Sequence, residues 1–512
     1  MAVLADATHG PSVSVGPRNA LLVHGSVQEP LVALQAGHER FAALEWDGAV
    51  LRASRDPLGE VPLFYRIADG TAWLASEIHP LLAVAPATPD LEVLGADAGF
   101  VAYGARTGWQ DIFRVPPGST ATLDGGMRLS VSAYWRPDLL LATRRCSYPE
   151  AVHELRERFD TAVARRRGRP DGVLLSGGLD SSAVAVAARE GRDPPRLVTV
   201  TYPELPATDE TEYARAVADA VGVPLTVLNG STDPWDAEAE AGIFGTPSML
   251  APTGVFEAAA RCFTSEGVNH ILDGHDGDGA LGLYTDIYGL HLANLRLRRL
   301  LELARRYGRR HVLGSAVRES VPPALWSVVR RTTPEPDDRL VRLVLPYFQG
   351  ATRRRMEADL LWRRPQRSWR HYQLLPLIPP ITLVFEQMET EAARLGVDLL
   401  HPFADRDLLS FLVSLPFSIK VDAERTKPLL RDALADVLPE IVRTRPGKVW
   451  FNPVLERRVD PQRCAEWICN SGVKLPDLDY RALFAAADDD PSAVPLVGWT
   501  QLARVHLFAA TA

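Results

Sequence analysis

The chain has 512 residues, 46% hydrophobic and 23% charged, which is globular composition and enough length for two or more domains. Its net charge of −8 and isoelectric point near 5.9 lack the basic footprint of a nucleic-acid binder. The opening MAVLADATHG has neither the basic nor the apolar part of a secretory signal, and the apolar stretch Leu374–Phe385 is short and broken by prolines, so no membrane span is expected. In chain order, residues 1–140 hold short β-like runs at Ala20–His24, Phe41–Trp46, Val50–Ser54, Leu63–Arg66 and Thr71–Ala75, separated by turn residues, which predicts an antiparallel sheet domain. A linker around Thr143–Pro149 precedes a helix over Tyr148–Arg167, with apolar residues at Val152, Leu155, Phe159, Ala162 and Val163. Buried strands are expected at Val173–Leu175, Leu197–Tyr202, Pro224–Leu228 and Asn269–Leu272. They alternate with helices, the pattern of a parallel sheet covered on both faces. Asp209 with Glu212 predicts a capping arrangement for a helix running to Val221. From Tyr288 onward the pattern is mostly helical and carries basic clusters at Arg296–Arg299, Arg305–Arg310 and Arg353–Arg355. Cys146, Cys262, Cys464 and Cys469 have no C-x-x-C spacing and read as reduced thiols of a cytoplasmic protein.

Two loops carry the chemistry. Gly172–Ser182 reads GVLLSGGLDSS, which is a buried strand, a glycine turn and a helix start. That order points backbone N–H groups and the positive helix end at an anion, and Gly177 and Gly178 allow it close approach. Asp180 adds a hard oxygen ligand suited to Mg²⁺ bridging phosphates. Asn269–Gly282 reads NHILDGHDGDGALG, a strand running into an acidic glycine turn at the same end of the sheet. Asp278 is the expected second Mg²⁺ ligand.

SGGLDSS resembles the pyrophosphate loop of the N-type ATP pyrophosphatases, which implies cleavage of ATP to AMP and pyrophosphate. Arg52–Leu82 is similar to the second half of the glutaminase domain of class II amidotransferases, an αββα sandwich. Ala2 stands where that domain exposes its nucleophilic cysteine, and no cysteine precedes Cys146, so glutamine hydrolysis is not expected. Asp273–Gly279 resembles the S-G-E-G-S-D-E loop of asparagine synthetases, matching at Gly274 and Asp278. His275 stands where the β-lactam synthetase branch has a tyrosine that works with a glutamate as base. Phe385–Pro416 is similar to the synthetase stretch ending in V-P-F-L-D. Counted back from Asp405, Glu386 takes the place of the dyad glutamate, with Glu389 and Glu391 as rivals; Asp405 itself reads as holding a helix start. Glu424–Leu434 and Arg445–Lys448 resemble the segments whose lysines meet ATP phosphates and acyl-transfer charge, which carries over to Lys427 and Lys448.

Within this superfamily the chain most resembles lasso-peptide macrolactam synthetases. The resemblance implies an α/β protein: a degenerate glutaminase-like αββα sandwich over residues 1–142, then a parallel-sheet ATP-pyrophosphatase synthetase domain over residues 148–512 with a helical C-terminal part. ATP would be held by Ser176, Gly177, Gly178, Asp180, Ser181, Tyr202, Gly274 and Lys427, and Mg²⁺ by Asp180 and Asp278. Lys448, Glu386 and His275 would serve adenylation of an Asp or Glu side chain and attack by the peptide's N-terminal amine. The implied partners are a lasso precursor peptide, a leader peptidase and a precursor-recognition protein. The alternatives are β-lactam closure of a small β-amino acid, an ammonia-dependent asparagine synthetase, and a non-catalytic scaffold.

Overall fold

The computed structural model describes residues 12–15, 20–24, 40–99, 104–168, 171–189, 194–282, 288–293, 295–320, 345–363, 373–374, 377, 379–422, 425–447, 451–489, 492 and 494–511. The first strands are β1 (Ser12–Val15), β2 (Ala20–His24), β3 (Ala42–Trp46), β4 (Leu51–Arg55), β5 (Phe64–Ala68), β6 (Thr71–Ala75), β7 (Ile112–Arg114), β8 (Ser119–Leu123) and β9 (Leu129–Ala133). They form a six-stranded sheet in the order β1-β2-β3-β4-β8-β9 and a three-stranded sheet β6-β5-β7. Every pairing within both is antiparallel. Strand β8 alternates buried and half-buried positions, as a strand with one face on a core must. Ala42, Ala53, Leu63 and Ala121 meet in one apolar cluster between the sheets. The other face of the three-stranded sheet is covered partly by the far end of the chain. Phe64, Trp109 and Ile112 share a cluster with Trp499, Leu502 and Phe508 of the helix Leu496–Thr511. The Trp109 and Phe508 rings meet edge-to-face at 5.3 Å.

The second unit is a parallel sheet of β10 (Asp171–Leu174), β11 (Arg196–Thr201), β12 (Leu225–Asn229), β13 (His270–Leu272) and β14 (Asp398–Leu400), in the order β12-β11-β10-β13-β14. The chain leaves β10 toward β11 and β12, then crosses to β13 on the opposite side. The switch point therefore lies between β10 and β13, at whose carboxyl ends a crevice opens. The helix Tyr148–Arg166 packs on this sheet through Ala151, Leu155, Phe159, Ala162 and Val163, and begins with a Ser147–Glu150 capping box. The helix Thr211–Val221 does not use the expected cap. Its N-cap is Glu210, and Asp209 accepts the Thr211 N–H at 2.9 Å instead. The Glu210 carboxylate turns away to Arg445. Among the described residues no helix is long and apolar enough to cross a membrane.

Buried ion pairs join the antiparallel sheets to this unit. The Asp56 carboxylate accepts the N–H groups of Leu58, Gly59, Glu60 and Val61, closing the RDPLG turn. Gly59 has φ +73°, and a Cβ there would meet Pro117 at 2.8 Å and the Arg55 guanidinium at 2.9 Å, so the turn requires glycine. Arg55 donates to the carbonyls of Gly59, Val61 and Val115 and pairs with Glu386 at 3.0 Å. Arg166 holds Glu60 through two bonds of 2.7 and 2.8 Å, and Arg40 pairs with Glu389.

Candidate functional site

The loop after β10 is tied to itself. The Ser176 N–H and hydroxyl both meet Ser181 Oγ, at 3.1 and 2.9 Å, and the Gly178 N–H donates to Ser176 Oγ at 3.2 Å. Gly177 has φ +81°, and a Cβ on it would lie 2.7 Å from the Glu210 carbonyl oxygen. Gly178 is the N-cap of the helix Leu179–Ala188 and brings no side-chain cap. The first N–H groups of that helix are thus left for an anion.

Asp180 on this helix and Asp278, on the short helix Gly277–Leu281 after β13, converge on one point. Lys427 Nζ lies 2.5 Å from Asp180 Oδ2 and 2.5 Å from Asp278 Oδ1. Lys427 is buried and sits at φ +50° as N-cap of the helix Pro428–Ala433. Burial would depress its pKa; the Asp180 and Asp278 carboxylates more than offset this and raise it, so the ammonium stays charged. The two loops meet glycine against backbone: a Cβ on Gly274 would be 2.5 Å from Ser181 N, and one on Gly277 2.5 Å from Asp180 Cγ. Asp276, at φ +63°, adds a third carboxyl group whose buried Oδ2 has no hydrogen-bond partner. Burial, then the Asp278 charge, holds its pKa well above the usual carboxylate range. Among the described residues no group of three or more His, Cys, Asp or Glu side chains closes a metal cage. Two carboxylate oxygens around one cationic atom, with Asp276 beside them, suit an ion that keeps water and phosphate ligands; the Lys427 ammonium occupies that point here.

The acceptor-side residues divide. His275 lines a cavity of about 220 Å³ together with Ser176, Ser181, Thr199, Gly274 and Phe451. This is below the roughly 300–1,000 Å³ of a whole ligand cleft, so it would take one part of a ligand. The His275 ring packs on Phe385 at 5.1 Å, and burial pulls its pKa down to about 4, leaving it neutral at neutral pH. Glu386 is buried and turns from that cavity toward the antiparallel sheets, between Arg55 at 3.0 Å and Arg114 at 3.4 Å. Glu389 meets Arg40, and Glu391 pairs with Arg394 at 2.7 Å. Tyr202 is buried with its hydroxyl donating to the Thr253 carbonyl at 2.8 Å; its ring meets Phe451 edge-on at 6.3 Å, and it is Phe451 that lines the cavity. Asp405 caps the helix Arg406–Ser414 by accepting the N–H groups of Asp407 and Leu408. Lys448 lies outside the described residues.

Three contributors were not legible beforehand. Arg445, the arginine of the RPGK string, donates to the Gly177 carbonyl at 3.3 Å, pairs with Glu210 and stacks 4.1 Å over the Tyr213 ring, clamping the loop from outside. Asp276 and His401 lie within the strings that carry the resemblance, Asp273–Gly279 and His401–Asp405, which give neither of them a role. Glu210 directly before a predicted helix was the one available sign of the Arg445 clamp.

A parallel sheet with a glycine loop and two converging carboxylates at its switch point defines an open-sheet α/β protein whose crevice lies where ligands bind in such folds. The chain belongs to the asparagine synthase family, whose family model matches residues 154–493. A carboxyethyl-arginine beta-lactam-synthase of Streptomyces clavuligerus is 27% identical over 421 residues, covering 81% of this chain and 65% of the relative. The glutamine-hydrolyzing asparagine synthetase 3 of Bacillus subtilis (strain 168) is 25% identical over 429 residues, 78% of this chain and 65% of the relative. The amidase chyE of Penicillium rubens is 27% identical over 261 residues, 46% of this chain and 38% of the relative. The chain thus spans less than two thirds of the length of these curated relatives.

Proposed function

We propose that this chain is an ATP-dependent, AMP- and pyrophosphate-forming carbon–nitrogen ligase that closes a macrolactam in a lasso precursor peptide. The observation that carries the ligase reading is the convergence of Asp180, Asp278 and Lys427 beside a self-tied SGGLDSS loop. A carboxylate is a poor acyl donor until its oxygen is made a leaving group. Attack of an Asp or Glu side-chain oxygen on the α-phosphorus of ATP forms an acyl-adenylate and releases pyrophosphate. Lys427 and the N–H groups at the start of the helix Leu179–Ala188 oppose the charge that builds on the departing phosphates. Mg²⁺ held by Asp180 and Asp278 would supply further charge neutralisation there. The peptide's N-terminal amine then attacks the acyl carbon and AMP leaves. The amine becomes strongly acidic only as the C–N bond forms, so the neutral His275 ring beside the cavity suffices to take its proton. Lys448 is assigned the charge of the tetrahedral intermediate. Glu386, between two arginines, supports the site and does not act as the base.

A leader peptidase and a precursor-recognition protein in the cytoplasm complete this reading. The extent of the match to the beta-lactam-synthase favours a second one, β-lactam closure of a small β-amino acid. ATP–pyrophosphate exchange separates them: exchange that requires a leaderless core peptide, with a product one water lighter, is the expected result. Exchange with a small β-amino acid alone would replace the lasso reading by the second.

The loop contact gives a further expectation. Gly277→Ala places a Cβ against Asp180 Cγ and should lower MgATP affinity about tenfold or more, whereas Gly314→Ala, with open space around it, should not. Calorimetric titration reads both; equal affinities would mean that the loops do not set the metal position.

A further inference from the structure

We propose that Asp273 and His401 form a buried positioning pair for the loop Asp273–Asp278, an inference that rests on the nucleotide-site reading above. Each is the first residue past its strand, and β13 and β14 are paired neighbours, so the two side chains meet at the carboxyl edge of the sheet. Asp273 Oδ1 accepts from His401 Nδ1 at 2.7 Å and from the His275 backbone N–H at 3.0 Å. The Asp273 N–H in turn donates to the Leu400 carbonyl at 3.2 Å, so the root of the loop is fixed to the neighbouring strand by side chain and backbone together. Both side chains are buried, at 7% and 3% exposure, where an unpaired carboxylate would be costly. Burial alone would raise the Asp273 pKa; the adjacent His401 and its hydrogen bond bring it below the ordinary value, so the carboxylate keeps the charge that holds both N–H groups.

The consequence falls on the metal side. From this root the loop passes Gly274 and Gly277, both packed on Asp180, and reaches Asp278 at the Lys427 ammonium. The His401 ring also packs 5.6 Å from His275 and 5.0 Å from Phe385, so the same pair supports the wall of the cavity. The phosphate loop meets the same loop where Gly274 packs on the Ser181 N–H, but it also keeps its own Ser176–Ser181 bonds, so the metal side depends on the pair more than the phosphate loop does. Asp273 and His401 therefore act through Asp278 and His275; they are positioning residues and not catalytic ones.

The test compares ATP in EDTA with MgATP, by calorimetric titration of the full chain. His401→Leu removes the donor and should cut the Mg²⁺-dependent gain in affinity roughly tenfold or more, a larger loss than it causes in the affinity for ATP in EDTA. His401→Asn keeps a short N–H donor near the Nδ1 position and should retain the gain within about twofold. If His401→Leu does not fold, His401→Gln, whose amide is one methylene too long, replaces it with the same expected loss. Retention of the gain in the donor-less variant, or equal loss in His401→Asn, overturns the pair. A parent chain with no Mg²⁺-dependent gain at all fails earlier, at the nucleotide-site reading, and takes the pair's role with it.

Discussion

Replacing Asp180 by alanine is expected to lower ATP–pyrophosphate exchange by roughly 10²–10³-fold or more, the order seen when one preorganised electrostatic partner of a charged transition state is removed. Asp180 stands at the start of a helix whose N–H groups face the same point, and its Oδ2 is 2.5 Å from Lys427 Nζ. Without it the cation position keeps Asp278 alone, and Lys427 loses the partner that does most to offset its burial. Asp180→Asn should not restore exchange, because the amide keeps the shape and loses the charge. Parental exchange in either variant would remove Asp180 from the nucleotide site.

The largest effect outside that site is expected at Arg55. The side chain is fully buried, donates to three carbonyls and pairs with Glu386. Arg55→Met leaves those acceptors unpaired and Glu386 with Arg114 alone at 3.4 Å. Removing one partner of such a pair costs about 3–5 kcal/mol, whereas replacing both often costs little. Urea denaturation should therefore show a large loss in Arg55→Met and partial recovery in Arg55→Met with Glu386→Leu. A loss under about 1 kcal/mol in the single variant would mean that the RDPLG turn does not anchor the helix Pro379–Arg394.

The local features were legible in the sequence because their causes are local. A run of apolar residues, two glycines and a helix start place the β10 loop within a few residues. The five expected early strands appear with ends shifted by no more than one residue, apart from the end of β5, which runs two residues further to Ala68, because apolar alternation marks a strand's middle better than its hydrogen-bonded limits. Asp209–Glu212 has the spacing of a capping box, yet the helix starts one residue later: Glu210 is the N-cap without a side-chain cap bond, and its carboxylate pairs with Arg445. The contacts that complete the site run between residues far apart in the chain. Asp273 and His401 are separated by 128 positions, and nothing near either marks the other as its partner. Spacing to Asp405 makes Glu386 a candidate base, but its partners Arg55 and Arg114 lie far away in the chain, and nothing near Glu386 in the sequence marks them.

The most direct test of the ligase reading is the identity of the nucleotide products. Phosphorus NMR of a reaction containing the chain, Mg²⁺, ATP and a leaderless core peptide should show AMP and pyrophosphate appearing together, in step with a peptide product one water lighter. Formation of ADP and inorganic phosphate instead would contradict the account, because the SGGLDSS loop and its two carboxylates would then serve cleavage at the γ-phosphate.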